Sequence, residues 1–345
     1  MHEFDNGLEE KWDYDMETPE ESEVSIERLQ SFLKPEDTLI FYGGEPLIKM
    51  DKIKEIMDNV DCHFQIQTNG ILLHKLPTEY LLRLDKMLVS IDGNKSRDCA
   101  NKGCLHYDRI IENLKDARAR GYKNEIVARM VITDTDLEEQ VMHLVGLIKE
   151  GLYTSIHWQI DAEFYKFDYD KEKFTAFVKG YNESLKKLLA WWISEIRAGK
   201  VWKIYPFLGV LGRVMGWDTE TRLPCGAGYA NFTINTKGDL SACPIMNSVK
   251  NLYCGSIEEG VTTERHCGGW CEGCDYKPVC GGRCLYSNDA QLWPKEGHDL
   301  VCETIKCLID GIRELKPEIE ELISEEVVSK EDFMFEKYFG PEIIP

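Results

Sequence analysis

The sequence predicts an α/β fold, because short segments rich in β-forming residues alternate with segments that have helical spacing. Strands are predicted at Thr38–Tyr42, His63–Gln67, Met87–Ile91, Glu125–Ile132 and Ser155–Ile160. Helices are predicted at Val24–Leu33, Asp51–Asn59, Thr78–Asp85, Tyr107–Arg120 and Leu137–Lys149. Alternation of this length indicates parallel strands joined by right-handed crossovers, in a barrel or in an open sheet.

The rest of the chain is organised differently. Residues 1–23 are polar and aperiodic, which predicts a loop or a frayed end. Residues 171–200 have the apolar spacing of a long helix, and Glu303–Ser324 predicts an amphipathic helix that is interrupted near Pro317. Between them lies a turn-rich segment in which Phe232–Asn235 and Leu240–Cys243 predict a β-hairpin.

Composition excludes several classes of protein. The chain has 345 residues and a formal net charge of -20, which argues against a nucleic-acid partner. No secretory signal opens the sequence, and no apolar run is long enough to span a membrane. We therefore expect a cytoplasmic protein without a membrane partner. In that compartment the 13 cysteines favour metal binding over disulfides.

Seven cysteines in the last third of the chain have an unusual spacing. The pattern is Cys225-x12-Gly238-x4-Cys243, then Cys271-x2-Cys274-x5-Cys280-x3-Cys284, then Cys302. Thiolates at this density, with glycines among them, suit an iron–sulfur scaffold. The four central cysteines could alternatively form a zinc site, but zinc gives no reason for the other three.

Polar, glycine-containing segments follow the first three predicted strands. They are Gly43-Gly44-Glu45-Pro46, Gln67-Thr68-Asn69-Gly70 and Ser90-Ile91-Asp92-Gly93. The carboxyl ends of parallel strands meet at one edge of a sheet, where such folds place their active sites. Two glycines let a ligand approach the backbone, and Glu45 can accept a hydrogen bond from an ammonium group.

These segments resemble the core of the radical S-adenosylmethionine enzymes, and the cysteine pattern matches their SPASM auxiliary-cluster domain at all seven positions. The sequence is similar to a group of peptide-modifying members known from archaea. The resemblance implies a partial (β/α)6 barrel that lacks its first strand, followed by a small Cys-rich SPASM domain with a β-hairpin and helices. It implies a barrel at 1–165, a helical connector at 166–222, the SPASM domain at 223–310 and a C-terminal helix and tail at 311–345.

The same resemblance implies cofactor roles. S-adenosylmethionine would bind across the strand ends, with its amino group held by Gly43, Gly44 and Glu45 and its ribose or carboxylate contacted by Ser90. The complete predicted cofactor-binding set is Gly43, Gly44, Glu45, Pro46, Asn69, Ser90, Asp92 and Arg129. Arg129 suits a carboxylate, and it equally suits a buried structural ion pair.

Two auxiliary 4Fe–4S clusters are implied. Cys225, Cys243 and Cys284 would ligate the first, and Cys271, Cys274, Cys280 and Cys302 would ligate the second. The first cluster then has three protein thiolates. Its fourth ligand is left open between Cys254, Cys267 and an open iron site.

One departure from the family is decisive for activity. The catalytic cluster of these enzymes is bound by Cys-x3-Cys-x2-Cys, and this chain has no such triplet. Cys62, Cys99 and Cys104 do not fit the spacing and are predicted to be free thiols. We expect the first strand and its triplet to lie upstream of residue 1, with a native N-terminus as the alternative. The chain as given is expected to be inactive.

For the intact protein, the resemblance implies an oxidoreductase that modifies a peptide or small protein. A 5′-deoxyadenosyl radical would abstract a hydrogen from the substrate, and ferredoxin or flavodoxin would supply electrons. The alternative is a non-catalytic iron–sulfur paralogue that transfers electrons or binds a peptide. The missing triplet favours this alternative, whereas the three glycine-containing strand ends oppose it.

Overall fold

A computed structural model describes residues 12–17, 19, 21–161, 169–291, 293–337 and 344–345. Its strands are β1 (Thr38–Phe41), β2 (His63–Thr68), β3 (Lys86–Ser90), β4 (Glu125–Ile132), β5 (Ser155–Ile160), β6 (Thr233–Ile234), β7 (Asp239–Ser241), β8 (Tyr253–Ser256) and β9 (Gly260–Val261). Its helices are α1 (Ile26–Phe32), α2 (Met50–Asn59), α3 (Thr78–Leu81), α4 (Lys95–Lys102), α5 (Cys104–Ala119), α6 (Leu137–Lys149), α7 (Lys171–Arg197), α8 (Tyr205–Val214), α9 (Lys277–Cys280), α10 (Leu285–Ala290) and α11 (Lys295–Ser324).

The first five strands form one sheet in the order β1-β2-β3-β4-β5. The pairs from β1 to β4 are parallel, and their register places Gln65 opposite Lys86 and Ser90 opposite Arg129. Each strand is followed by helical structure that crosses to the next strand, as the alternating sequence predicts. The α/β class and the five-stranded barrel-like sheet are confirmed.

Both faces of this sheet are covered. Alternate residues such as Ile66, Val89 and Ala128 are fully buried on the apolar face. The opposite face is polar and also buried at its base, where Lys86 pairs with Glu125 at 3.2 Å. Successive side chains along a strand point to opposite faces, so strands paired in this register give the sheet one apolar face and one polar face. A sheet buried on both faces is typical of a barrel.

A second, antiparallel sheet of order β6-β7-β8-β9 lies in the Cys-rich segment. Strands β6 and β7 pair through Thr233–Ser241 and Ile234–Leu240, which confirms the predicted hairpin. The described part of residues 1–23 forms no helix or strand, as the loop prediction has it, but it is attached to this region and is not a frayed end. Residues 1–11, 18 and 20 lie outside the described residues. Tyr14 forms an antiparallel bridge with Val249, and the carboxylate of buried Asp15 accepts hydrogen bonds from Lys237 Nζ at 2.9 and 3.0 Å.

The long helices α7 and α11 pack against each other. A Cβ at Gly311 would lie 2.5 Å from Leu189 Cδ1, so glycine allows the close approach. Helix α11 begins eight residues before its predicted start and continues through Pro317, so the expected interruption is wrong. Proline removes one backbone donor, and the buried residues before and after it, including Ile312 and Ile319, keep the helix packed.

Three local predictions also need correction or confirmation. The helix predicted at Thr78–Asp85 ends at Leu81. Cys99 and Cys104, predicted to be free, form a disulfide, because Gly103 at φ +90° separates α4 from α5 and brings the two Cα atoms to 4.0 Å. Cys62 is a free thiol, as predicted.

The chain divides into two compact units. One comprises residues 1–22, 132–138 and 159–345, and the other comprises residues 23–131 and 139–158. Among the described residues, no helix combines the length and hydrophobicity that a bilayer crossing requires.

Candidate functional site

The ends of β1 and β2 are joined by a carboxylate. Glu45 accepts hydrogen bonds from Leu47 N–H at 3.0 Å, from the Thr68 hydroxyl at 2.8 Å and from Asn69 N–H at 2.7 Å. It also caps the short 3-10 helix Pro46–Lys49. The sequence predicts Glu45 as an acceptor for an ammonium group. In the structure its carboxylate also fixes the position of the neighbouring strand end, which the sequence does not predict.

Glycine is required at the second and third strand ends. Gly70 has φ +77°, and a Cβ there would lie 2.9 Å from Val89 Cγ1. Gly93 has φ +98°, and a Cβ there would overlap Gln140, whose side-chain oxygen accepts a hydrogen bond from Asn94 N–H at 2.7 Å. In contrast, no atom of the described residues, chain neighbours aside, lies within 4 Å of a Cβ at position 43 or 44. The Gly43–Gly44 backbone is therefore open to a ligand.

The remaining predicted cofactor residues lie at the ends of β3 and β4. Ser90 and Arg129 are register partners and are both half-buried. The guanidinium of Arg129 donates from Nη1 to Gln67 Oε1 at 3.1 Å. The sequence predicts either a ligand carboxylate or a structural ion pair as the partner of Arg129. The hydrogen bond to Gln67 places its guanidinium in the polar interior near the strand ends. The ends of β2, β3 and β4 are thus linked by the Arg129–Gln67 hydrogen bond and by the pairing of Ser90 with Arg129.

Asp92 is engaged by the protein. It is 3% exposed and accepts hydrogen bonds from Val131 N–H at 3.2 Å and Asn101 Nδ2 at 3.1 Å, while Lys102 Nζ lies 3.1 Å away. Its own N–H donates to Asp98 Oδ1 at 3.1 Å. The third strand end is therefore anchored to helix α4.

A buried Asp98–His106 pair supports this anchor. His106 Nδ1 lies 2.7 Å from Asp98 Oδ2, and Asp98 is fully buried. Burial by itself raises the pKa of Asp98, but the hydrogen bonds from His106 and Asp92 outweigh it and leave the pKa lowered. Sequence reasoning missed this pair, because the two residues lie on separate helices at a spacing without a pattern.

Five of the seven predicted cysteine ligands line one cavity. They are Cys271, Cys274, Cys280, Cys284 and Cys302, and Arg283, Asn288 and His298 complete part of its wall. His298 Nε2 lies 3.4 Å from Cys302 Sγ, one turn away on α11. The His-x3-Cys spacing on one helix is a signal in the sequence, but the histidine was not predicted to belong to the site.

Burial and nearby thiols raise the pKa of several of these cysteines. Burial, followed by the nearby Cys284 and Cys225, raises the pKa of Cys243 to about 12. Burial, followed by Cys280 and Cys271, raises the pKa of Cys302 to about 12. The pKa of Cys271 is raised by burial and then by Cys274.

Cys284, predicted for the first cluster, lines the same cavity as the four cysteines predicted for the second. Buried thiols crowded together are costly as thiolates unless a cation neutralises them. Five cysteine thiols around one cavity fit polynuclear iron–sulfur groups in donor chemistry. Among the described residues, no three Cys, His, Asp or Glu side chains converge as ligands of a single metal ion.

Asn288 positions this site from α10. Its side-chain amide donates to Cys271 Sγ at 3.3 Å and to Gly268 O at 3.0 Å, and its side-chain oxygen accepts from Gly268 N–H at 3.0 Å. The residue is 4% exposed. An amide hydrogen bond to a ligand sulfur is a common outer contact of metal sites and tunes their potential.

The chain is similar to known proteins in sequence and in fold. Residues 5–148 match the model of the Radical SAM superfamily. An uncharacterized protein of Archaeoglobus fulgidus is 30% identical over 100 residues, which are 27% of this chain and 24% of that protein. The chain thus spans about a quarter of the length of this relative.

Solved structures show the fold over most of the chain. The structure described as native anSMEcpe with bound AdoMet has a TM-score of 0.65 and 17% identity, covering 87% of this chain and 90% of that one. Native anSMEcpe with bound AdoMet and Cp18Cys peptide also has a TM-score of 0.65, with 16% identity and coverage of 87% and 89%. The chain shares its fold with these structures, and its residues 5–148 match the Radical SAM superfamily model.

Proposed function

We propose that this chain is the S-adenosylmethionine-binding and auxiliary-cluster part of a radical enzyme that modifies a peptide. The observation that carries the proposal is the cavity walled by five cysteines whose spacing matches an auxiliary-cluster domain. The Radical SAM superfamily match at residues 5–148 supports it independently. The AdoMet bound to native anSMEcpe, which has the same fold, supports the choice of cofactor.

S-adenosylmethionine would bind at the ends of β1 to β4. The uncovered backbone of Gly43 and Gly44 would receive its amino group, with Glu45 holding this loop against Thr68 and Asn69. The Arg129 guanidinium would receive the carboxylate, since its planar donors match a carboxylate in two parallel hydrogen bonds. Ser90 would contact the ribose or carboxylate. Pro46 begins the capped 3-10 turn, and Asp92 anchors the third strand end.

The cysteines would hold two 4Fe–4S clusters. Cys225, Cys243 and Cys284 would bind the first, and Cys271, Cys274, Cys280 and Cys302 would bind the second. Asn288 would donate to a ligand sulfur of the second cluster, and His298 would lie beside another of its ligands. The protein's part is to orient these groups and to exclude water from them.

When bound, a reduced catalytic cluster and S-adenosylmethionine supply a 5′-deoxyadenosyl radical that takes a hydrogen atom from the substrate. The sequence has no Cys-x3-Cys-x2-Cys triplet for that cluster. This chain alone would therefore bind S-adenosylmethionine without cleaving it. A peptide substrate is supported by the Cp18Cys peptide bound to native anSMEcpe, whose fold is similar. Ferredoxin or flavodoxin would be the reductant.

A second function is favoured by the same missing triplet. A paralogue that transfers electrons or binds a peptide would keep the auxiliary clusters and need no catalytic one. Such a carrier has no use for the open Gly43–Gly44 backbone beside a fixed Glu45. Binding of S-adenosylmethionine therefore distinguishes the two functions.

The test is equilibrium binding of S-adenosylmethionine to anaerobically reconstituted protein, together with an assay for 5′-deoxyadenosine. The radical-enzyme proposal predicts saturable binding that Arg129→Met weakens at least about tenfold, because one charged hydrogen-bonding partner is lost. Arg109→Met is the matched control, since Arg109 lies on the exposed face of α5 beside Glu112. No binding to the wild-type chain would favour the carrier.

A further inference from the structure

The first predicted cluster has only three assigned thiolates, and two cysteines of the same compact unit compete for the fourth position. They are Cys254 and Cys267, which are both buried. The second cluster already has four predicted ligands. An additional thiolate near both groups would therefore complete the first cluster. The surroundings of the two candidates decide between them.

Cys254 is built into the antiparallel sheet. It lies on β8 and is fully buried, and its thiol contacts Leu252 O at 3.7 Å. Its carbonyl accepts hydrogen bonds from Thr262 N–H at 2.7 Å and Thr263 N–H at 3.2 Å. The charged group that influences its thiol is Arg265. Cys254 thus behaves as a core residue of the sheet.

Cys267 is placed among the predicted ligands. It is 6% exposed, and its Sγ lies 3.7 Å from Gly282 O, in the turn that separates Cys280 from Cys284. A Cβ at Gly282 would lie 2.7 Å from the Cys267 sulfur. Because Gly282 has φ +101° and no side chain, the sulfur can approach this turn.

The backbone around Cys267 is also fixed. Lys277 Nζ donates to Cys267 O at 3.1 Å, and Asn288 holds both polar groups of Gly268 at 3.0 Å. Gly282, which the Cys267 sulfur approaches, lies two residues from Cys284, a predicted ligand of the first cluster, and two residues from Cys280, a predicted ligand of the second.

We propose that Cys267 supplies the fourth thiolate of the first auxiliary cluster, together with Cys225, Cys243 and Cys284. The assignment rests on the proposed function and deepens it. It closes the iron site that the motif alone leaves open, so the first cluster is fully ligated by protein and does not bind the substrate through iron. A coordinatively complete cluster suits electron transfer.

The test compares the anaerobically reconstituted wild-type chain with Cys267→Ala and, as the matched control, Cys254→Ala. Each protein is assayed for iron and sulfide and then reduced. Its electron paramagnetic resonance spectrum is recorded with and without 2-mercaptoethanol. If Cys267 is a ligand, its loss leaves an open iron that the exogenous thiolate can occupy. If Cys267 is only structural, its loss leaves no open iron and the thiol has no effect.

The proposal predicts that the wild type and Cys254→Ala hold two clusters whose spectra do not respond to the thiol. Cys267→Ala should either lose one cluster or retain it with a spectrum that the thiol shifts. A thiol-responsive wild-type spectrum would overturn the assignment while leaving the proposed function standing, because the site would then be open. So would a Cys267→Ala protein indistinguishable from wild type. A wild-type chain without iron would overturn both.

Discussion

Gly281 separates two cysteines that we assign to different clusters, and its substitution provides a sharp test of the packing around them. Gly281 ends α9 at φ +72°. A Cβ at this position would lie 2.3 Å from Arg222 O and 2.9 Å from Leu223 N. Gly273 also has φ +72°, but apart from its chain neighbours no atom in the described part of the chain lies within 4 Å of its Cβ position. The two glycines have the same φ angle, but only Gly281 has backbone atoms close to the position that a Cβ would occupy.

The magnitude follows from that difference. A left-handed alanine costs roughly 1–2 kcal/mol, and both variants incur this cost. Only Gly281→Ala adds overpacking, which costs about 1–3 kcal/mol. The clash cannot be relieved easily, because Arg213 donates to Arg222 O at 2.8 Å and to Val279 O at 2.9 Å and so holds both sides of the contact. We expect Gly281→Ala to be less stable than Gly273→Ala by about 1–3 kcal/mol.

The assay is anaerobic thermal unfolding of reconstituted protein, followed through the loss of iron–sulfur absorbance. A destabilisation of 1 kcal/mol lowers the midpoint by roughly 2–4 °C in a unit of this size. Gly281→Ala should therefore melt about 2–12 °C below Gly273→Ala at the same scan rate. Equal midpoints for the two variants would refute the argument, since the Arg222 segment would then be free to move.

Three other contacts give predictions. Glu45→Gln and Thr68→Val should each destabilise the protein and should couple by about 0.5–3 kcal/mol in a double-mutant cycle of urea unfolding, whereas additive effects would mean that the carboxylate does not join the strand ends. The hydrogen bond from Lys237, foremost among several causes, lowers the pKa of Asp15. The stability from this contact is therefore present above the unfolded-state pKa and lost as pH falls below about 4. Asp15→Asn should raise amide exchange in residues 12–17 at neutral pH, and unchanged exchange would contradict the docking. Asn288→Ala removes a hydrogen bond to Cys271 Sγ and should lower the potential of the second cluster by roughly 20–60 mV in a redox titration, because that bond favours the more negative reduced state. An unchanged potential would mean that the amide does not reach the ligand sulfur.

The sequence predicted the parallel sheet well, because the strands are short apolar runs bounded by glycine and polar residues. The strands Glu125–Ile132 and Ser155–Ile160 have the predicted bounds, and the other three differ by a single residue at one end or at both. The predicted strand ends meet at one edge of the sheet, since parallel strands leave no alternative. Five of the seven predicted thiols line one cavity, because their spacing encodes turns around a small volume.

The remaining features depend on contacts between distant residues. No local pattern links Asp98 to His106 or Asp15 to Lys237. Strands β8 and β9 are too short and rich in glycine to stand out in the sequence. The choice of Cys267 over Cys254 requires knowing that a turn at Gly282 lies beside one of them.

Iron and acid-labile sulfide content, measured with visible absorbance on the anaerobically reconstituted chain, tests the central claim most directly. Two 4Fe–4S clusters predict about eight irons and eight sulfides per chain, with absorbance near 400 nm and an electron paramagnetic resonance signal on reduction. A colourless protein that holds about one zinc and no sulfide would contradict the account, because four of the cysteines would then form a tetrahedral site and the other three would have no role.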